Sequence, residues 1–374
     1  VMILAGGTGG HVFPALAVAK EIEKQGVPII WVGTQKGIES KVVAKAGYQI
    51  EWILIGGLRG KNMATYLIAP VRLILAALQA VWLLLKHRPC AVLGMGGFVA
   101  GPIGLAAVLL RRPLIIHEQN AILGRANRLL APRVLHIATS FERTDSICAS
   151  DRKKIAITGN PVRPAIAALA SSAYPTPSHN GPLNLLIIGG SQGAQLFADV
   201  VPAAIALLPP QICDRLDIAQ HCRPEDLDRV RESYAAGGIH ASCSTFFEDI
   251  PARLKKAHLV ICRAGASTVS ELAASGRPAI LVPLAHATDD HQTANAASLQ
   301  AAGGAIILGE SEAKPARLAE CLNGFLASPK VLARAALAAH GVGRPDAGRA
   351  LADLIEALAP VNGDPPNMMR RQAA

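Results

Sequence analysis

His11 closes a glycine-rich run, Ile3-Leu4-Ala5-Gly6-Gly7-Thr8-Gly9-Gly10-His11. An apolar strand leads in and a segment with helical spacing leads out, so the run should end at a helix N-terminus. Bare backbone N–H groups and the helix dipole make such a place a cradle for phosphate oxygens, with Thr8, Gly9 and Gly10 nearest. The same position disfavours an imidazolium. His11 is therefore expected as a neutral base able to accept a proton, the alternative being a capping or packing histidine. A second loop of the same kind reads Leu186-Ile187-Ile188-Gly189-Gly190-Ser191-Gln192-Gly193-Ala194.

A third strand-to-helix block, Cys262-Arg263-Ala264-Gly265-Ala266-Ser267-Thr268-Val269-Ser270-Glu271, adds side chains to this chemistry. Thr268 can donate to a phosphate. Glu271, one turn into the helix, can accept two hydrogen bonds from a vicinal diol, or it can simply offset the helix dipole. Gln292 and Asn295 lie three apart on one helical face, and amides suit sugar hydroxyls, which both donate and accept. The nearby His286, Asp289, Asp290 and His291 read either as a polar helix start or as a metal site. Three further polar blocks follow strand signatures: Gly94–Pro102, His117-Glu118-Gln119-Asn120 and Thr158-Gly159-Asn160-Pro161-Val162-Arg163. Ligands of open α/β sheets bind at such carboxyl ends.

Two phosphate-loop readings fail. Val12 stands where a dinucleotide fingerprint needs its third glycine, and Val32-Gly33-Thr34 supplies no acid for a ribose. The Gly-Lys-Ser/Thr ending of a Walker loop is missing. A nicotinamide-dependent oxidoreductase is thereby disfavoured.

The elements that must carry these loops are strands alternating with helices. Strands are expected at Pro28–Val32, Ala91–Leu93, Leu114–Ile116, Val134–Ala138 and Lys154–Ile157. A second set is expected at Asn184–Ile188, Leu216–Gln220, His258–Cys262, Ala279–Val282 and Ala305–Leu308. Short apolar strands separated by helices predict an α/β protein of two doubly wound parallel sheets, Rossmann-like, facing a shared cleft. The expected domains are 1–163 and 183–360. Residues 164–182, with Tyr174-Pro175-Thr176-Pro177, read as the linker, and 361–374 as a loose tail.

The chain has 374 residues and a net charge of +10, unevenly spread. Residues 1–163 hold 20 Lys/Arg against 8 Asp/Glu, and the rest is slightly acidic. The first half thus expects an anionic partner, the alternative being a generally basic protein without one. Aromatic residues make up only 4%, with no basic–aromatic interleaving, which argues against a nucleic-acid surface and favours an anionic membrane. The apolar stretch Leu73–Leu85, between Arg72 and Lys86 and bearing Trp82, is short of the roughly 20 residues a bilayer span takes. It reads as a helix lying in the membrane interface or as an ordinary buried helix. Seven cysteines without CxxC spacing fit a reducing compartment and mostly buried thiols. The first strand opens at Val1, with no leader expected.

Taken in order, the blocks Gly6–His11, Gly57-Leu58-Arg59-Gly60, Gly94–Pro102, His117–Asn120, Gly159–Arg163, Gly189–Ala194 and Cys262–Glu271 closely resemble the MurG family of bacterial glycosyltransferases, from Gly6 to about Gly304. The resemblance implies a GT-B fold and transfer of N-acetylglucosamine (GlcNAc) from UDP-GlcNAc to lipid I, undecaprenyl-diphospho-MurNAc-pentapeptide. The product is lipid II for peptidoglycan synthesis, hence for cell shape and division.

It further implies that Glu271 takes the ribose, while Ser191, Gln192 and Thr268 meet the diphosphate with Ala266, Ser267, Val269 and Ser270 around them. The backbone of Phe247 would meet uracil, Gln292 and Asn295 the sugar, Asn120 the acetamido group, and Arg163 would lie near the donor. Thr8, Gly9 and Gly10 would hold the acceptor diphosphate and border the donor. Phe98 and Glu118 would lie on the acceptor side, with His11 as the general base. Phe98, Ala100 and His291 depart from the family's frequent Tyr, Ser and Gln. No cofactor or obligatory metal is expected, since loop N–H groups can stabilise the leaving diphosphate. The implied place is the cytoplasmic face of the plasma membrane, peripheral, with cell-wall synthesis and division proteins as possible partners. The rivals are a UDP-sugar transferase with another acceptor and a membrane-bound scaffold without chemistry.

Overall fold

The structure, a computed structural model, describes residues 1–56, 63–190 and 195–358. The Gly57–Gly60 block, Ser191 and Gln192, and the tail from 359 onward lie outside the described residues. The chain divides into two compact units, one of residues 1–163 with the segment that begins at Asp346, the other of residues 164–345.

Among the described residues, unit 1 is built on seven strands: β1 (Met2–Leu4), β2 (Ile30–Gly33), β3 (Gln49–Trp52), β4 (Val92–Gly94), β5 (Leu114–Glu118), β6 (His136–Thr139) and β7 (Ile155–Ile157). Their order is β3-β2-β1-β4-β5-β6-β7, and every neighbouring pair is parallel. Alternate residues feed opposite faces. Met2, Leu4, Val92 and Ile116 enter one core cluster, while Ile3, Leu93 and Ile115 enter the other. Both faces are therefore covered, which is why the strands read as continuous apolar runs.

Unit 2 repeats the plan with β8 (Leu183–Ile188), β9 (Leu216–His221), β10 (His240–Ser244), β11 (Leu259–Cys262), β12 (Ala279–Leu281) and β13 (Ala305–Ile307). The order is β10-β9-β8-β11-β12-β13, again parallel throughout. The strand order reverses direction at β1/β4 in unit 1 and at β8/β11 in unit 2. These are the topological switch points, where loops on either side diverge and leave room for a ligand.

Two strands, β3 and β10, were not among the sequence expectations. Both are edge strands. Gln49-Ile50-Glu51-Trp52 and His240-Ala241-Ser242-Cys243-Ser244 alternate polar and apolar residues and lack a full apolar run.

The expected boundaries also differ from the structure. Residues 164–182 do not form a free linker. Helix Pro164–Ala167 and the turn Ala168–Ser171 pack on helix Ala266–Ser275, and Tyr174 donates its hydroxyl to His258 O at 2.8 Å, so the segment belongs to unit 2. Nor does the second domain run to 360. Helix Ala347–Glu356 packs against helix Gly9–Lys24, with Leu351, Ala352 and Ile355 in the same cluster as Ile3 and Val18. Fully burying residues such as Leu351 and Ile355 stabilises by about 1.5–3 kcal/mol each. Of the cysteines, Cys222, Cys243, Cys262 and Cys321 are buried, whereas Cys90 and Cys148 are exposed.

Candidate active site

At the switch point of unit 1, three strand ends deliver their loops to one place. β1 leads through Gly6 and Gly7 to Thr8, which caps helix Gly9–Lys24. Gly7 needs its freedom: φ is +94°, and a Cβ there would meet the Phe98 ring at 3.0 Å. β4 leads to Gly96 (φ +90°) and Gly97 (φ +76°), where helix Gly97–Leu109 begins. A Cβ on Gly97 would lie 2.9 Å from Gly6 O. The two helix N-termini therefore approach each other through glycine backbone.

His11 lies between them. Its ring sits over Gly96, where a Cβ would be 3.1 Å from Nε2, and its Nδ1 is 3.2 Å from Thr8 Oγ1. Burial lowers its pKa to about 4, so the imidazole is neutral at physiological pH. The N–H groups of His11 and Val12 already bond to Thr8 O, while those of Gly9 and Gly10, at the helix start, have no intrahelical acceptor among the described residues.

β5 supplies the third side. Glu118 is buried, and its two oxygens accept from Asn120 N (3.0 Å), Asn120 Nδ2 (3.2 Å), Gly124 N (2.8 Å) and Asn127 Nδ2 (2.9 Å). Glu118 thus shapes the turn that presents Asn120 rather than offering an open carboxylate. His117 is also buried. Its Nε2 donates to Gly159 O (2.9 Å) and its Nδ1 accepts from Gln119 Nε2 (3.0 Å), and burial lowers its pKa to about 4. These loops enclose a cavity of about 320 Å³ lined by His11, Phe98, Glu118, Asn120, Arg125 and Asn127 among others.

Sequence reasoning missed Glu39. This residue is fully buried beneath the first glycine loop. Its Oε1 accepts from Thr34 N and Thr34 Oγ1, both at 2.8 Å, and its Oε2 accepts from Gly7 N at 3.1 Å. A Cβ on Gly6 would fall 2.6 Å from Oε1. Glu39 therefore holds the Gly7 N–H inward and fixes the loop that leads to Gly9 and Gly10. A glutamate opening a short helix reads as surface in a sequence. The nearby Gly33, Thr34 and Gly37 were the signal that it is not.

At the switch point of unit 2, β11 leads into helix Ala266–Ser275, with Gly265 as its N-cap. Ser267, Thr268, Ser270 and Glu271 lie half-buried on its first turns. Ala266 and Val269 are packed in the core, so their backbones alone are left to meet a ligand. Gln292 and Asn295 do share a face of helix His291–Ala302, but both turn to the protein. Gln292 Oε1 accepts from Ala264 N (3.2 Å) and Leu284 N (3.0 Å), and the buried Asn295 donates to Ala264 O (3.2 Å). Arg263, bonded to Glu310 at 2.8 Å, fastens the same loop, and Glu310 in turn accepts from Ala285 N at 2.7 Å. Phe247 is buried under the Arg253 guanidinium, 3.9 Å from the ring centre, while Phe246 is 70% exposed. Arg163, at the end of unit 1, is half-buried. Among the described residues no three His, Cys, Asp or Glu side chains gather to hold a metal ion.

The stretch Leu73–Leu85 lies in helix Met63–His87, which is two-faced over its described side chains. Ala76, Ala80, Leu83 and Leu84 are buried, whereas Leu73, Leu78, Trp82 and Leu85 are each more than half exposed. Among the described residues no helix is long and apolar enough to cross a membrane.

Comparison with known proteins shows the family. The glycosyltransferase family 28 N-terminal domain matches residues 1–139, and the glycosyltransferase family 28 C-terminal domain matches residues 184–351. The chain is 47% identical over 360 residues to the UDP-N-acetylglucosamine–N-acetylmuramyl-(pentapeptide) pyrophosphoryl-undecaprenol N-acetylglucosamine transferase of Rhodospirillum rubrum, covering 96% of this chain and 92% of that one. It is 46% identical to the Nitrosococcus oceani protein of the same name, covering 94% and 97%. The crystal structure of Acinetobacter baumannii MurG superposes with a TM-score of 0.79 at 34% identity, covering 95% of this chain and 98% of that one. Two parallel-sheet units with glycine-loop helix starts at both switch points, both matched by this family, make the chain a GT-B glycosyltransferase: it belongs to the MurG family within glycosyltransferase family 28.

Proposed function

We propose that the chain transfers GlcNAc from UDP-GlcNAc to the MurNAc-pentapeptide of a pyrophosphoryl-undecaprenol acceptor, lipid I, with unit 2 holding the donor and unit 1 the acceptor. The observation that carries this reading is His11: a neutral imidazole between two helix N-termini, beside a cavity of about 320 Å³. Helix N-termini bind diphosphates and a neutral imidazole takes protons, so one corner of unit 1 can do both tasks an acceptor needs.

In this mechanism Thr8 and the N–H groups of Gly9 and Gly10 hold the acceptor diphosphate. His11 Nδ1–H donates to Thr8 Oγ1, which leaves the Nε2 lone pair for the acceptor hydroxyl. The hydroxyl oxygen attacks the anomeric carbon as its proton passes to Nε2, and the carbon–oxygen bond to UDP breaks on the opposite face, inverting the α-linked donor to a β-linked product. The growing charge on UDP is met by the start of helix Ala266–Ser275 and by Thr268, with Ser191 and Gln192 assigned to the same diphosphate by the family resemblance. Glu271 takes the ribose diol and the Phe247 backbone the uracil. Gln292, its oxygen already engaged, offers its NH2 to the sugar, while Asn295 positions the loop at Ala264. Asn120, held by Glu118, reaches the acetamido group, and Arg163 lies near the donor. None of these roles calls for a metal or cofactor. The exposed face of helix Met63–His87 and the basic charge of unit 1 seat the enzyme peripherally on the anionic cytoplasmic leaflet, where its lipid acceptor and cell-wall synthesis partners reside.

The test is transfer of labelled GlcNAc to a short-tailed lipid I analogue. His11→Ala should lower kcat by 10²–10⁴-fold, the usual range for a general base. Glu271→Ala should raise the UDP-GlcNAc KM and leave the acceptor KM alone. Full kcat in His11→Ala would remove the base from this position.

A further inference from the structure

Three exposed apolar side chains lie at the first glycine loop and beside helix Met63–His87. A Cβ placed on Gly9 would lie 3.0 Å from the Phe13 ring and 3.6 Å from Ile38 Cδ1, so both side chains flank the Gly9 backbone. Phe13 is 45% exposed and Ile38 is 37% exposed, although each stands next to a well-formed core. Ile38 comes from the loop after β2. β2 and β3 are parallel neighbours, with Gly33 opposite Trp52 and Ile53 N bonded to Gly33 O at 3.0 Å. The residue after Ile53 is Leu54, 63% exposed, and its N–H donates to Gln79 Oε1 at 2.9 Å. Gln79 belongs to helix Met63–His87, next to the exposed Leu78 and one turn from the exposed Trp82. Phe13 and Ile38 thus flank the proposed diphosphate cradle, and Leu54, on the loop after the neighbouring strand, adjoins helix Met63–His87.

We infer that Phe13, Ile38 and Leu54 form a binding lane for the first isoprene units of the acceptor's polyprenyl tail. This inference rests on the proposed reading of Thr8, Gly9 and Gly10 as the acceptor diphosphate cradle. The chemistry of the ligand selects the occupant. A polyprenyl diphosphate is the one part of the substrate pair in which an apolar chain is joined directly to a phosphate, and here apolar side chains adjoin a phosphate cradle at Gly9. Free nucleotides and the pentapeptide offer no apolar group at that distance from a phosphate. The lane would let the enzyme hold the first carbons of the tail outside the bilayer while the rest stays in it.

The experiment uses the full chain in detergent-free solution with four water-soluble MurNAc-pentapeptide acceptors. The head is linked through a diphosphate or a monophosphate, and each carries either a geranyl or a methyl group. For the wild type, geranyl should lower the diphosphate acceptor KM roughly tenfold relative to methyl, the effect of covering about two buried methylene equivalents. Phe13→Ser/Ile38→Ser should reduce that ratio to within about twofold while the methyl-acceptor KM and the UDP-GlcNAc KM hold. Ile38→Ser and Leu54→Ser alone should give intermediate ratios, and they serve if the double variant folds poorly. Leu337→Ser, 74% exposed in unit 2, should leave the ratio unchanged. A wild type without tail preference, or a preference that survives in the double variant, would overturn the lane. The linkage contrast tests the cradle separately: equal KM values for diphosphate and monophosphate acceptors would overturn the cradle reading, whatever the tail ratio does.

Discussion

Replacing Glu39 should unfasten the first glycine loop. In Glu39→Ala, three donors lose their acceptor: Gly7 N–H, Thr34 N–H and the Thr34 hydroxyl. Each buried donor left unsatisfied costs about 1–3 kcal/mol. The Thr34 hydroxyl can rotate and water can fill part of the space, so the sum is reduced to about 3–5 kcal/mol. That is a large share of the roughly 5–15 kcal/mol by which a domain is stable. Glu39→Gln keeps the shape and one accepting oxygen but turns an NH2 toward Gly7 N–H, for a loss of about 1.5–3 kcal/mol. The assay is specific because Trp31, Trp52 and Trp82 are the chain's three tryptophans and all belong to unit 1. Tryptophan fluorescence during urea unfolding therefore reports this unit. With a slope of about 2–3 kcal/mol per molar urea, the midpoint should fall by roughly 1–2 M in Glu39→Ala. In Glu39→Gln, assayed well below its midpoint, the acceptor KM should rise while the UDP-GlcNAc KM holds, since the disturbed loop belongs to unit 1. A midpoint shift under about 0.3 M in Glu39→Ala, or a donor KM that rises instead, would refute the reasoning.

His117 makes unit 1 acid-sensitive. Its folded pKa lies near 4 against 6.5 unfolded, so the unfolded state binds protons first as pH falls. The resulting loss is about 1 kcal/mol at pH 5.5 and about 3 kcal/mol by pH 4, fading above the unfolded pKa, and His117→Asn should flatten that part of the fluorescence-monitored profile. Arg277 is fully buried, its pKa lowered to about 10 by burial, and its guanidinium nitrogens have no partner among the described residues beyond the Tyr174 ring at 5.3 Å. Arg277→Met should be neutral or stabilising by about 1–2 kcal/mol in thermal unfolding, and a loss beyond about 2 kcal/mol would reveal a partner for the charge. Leu78→Ser and Trp82→Ser should each weaken sedimentation with acidic vesicles at least threefold without changing turnover of a soluble acceptor; binding indifferent to both substitutions and to acidic lipid would remove the membrane role of this helix.

Central strands and loop chemistry were legible because they follow from short-range rules. A strand buried on both faces must be an apolar run, and a glycine loop before a helix must expose N–H groups. β1, β5, β8 and β11 stood out on those grounds. Edge strands β3 and β10 were hidden because their outer sides meet solvent and their composition follows. A residue's placement was legible where its own local run fixes it, as the glycine run sets His11 at a helix start, and illegible where it depends on a distant partner. Glu39 acquires its role from Gly7, 32 positions away, and Asn295 from Ala264, 31 positions away. The fastening of Glu118 by Asn127 belongs to the same class: a spatial contact across a turn that no periodicity records.

The return of helix Ala347–Glu356 to unit 1 has a consequence for biosynthesis. The first unit to leave the ribosome is the last to be finished. Unit 2 is one continuous stretch and can close its core as soon as it is made. Unit 1 must wait for Leu351, Ala352 and Ile355 to cover helix Gly9–Lys24. At roughly 5–20 residues per second, synthesis of residues 164–345 occupies roughly 10–35 seconds. Throughout that interval the nascent unit 1 carries an uncovered apolar face beside the glycine loop that holds His11. A fragment ending at Arg163 would carry that face permanently, so expression trials that split the chain there should yield an aggregating first half, and supplying residues 346–358 in the same polypeptide should restore its solubility.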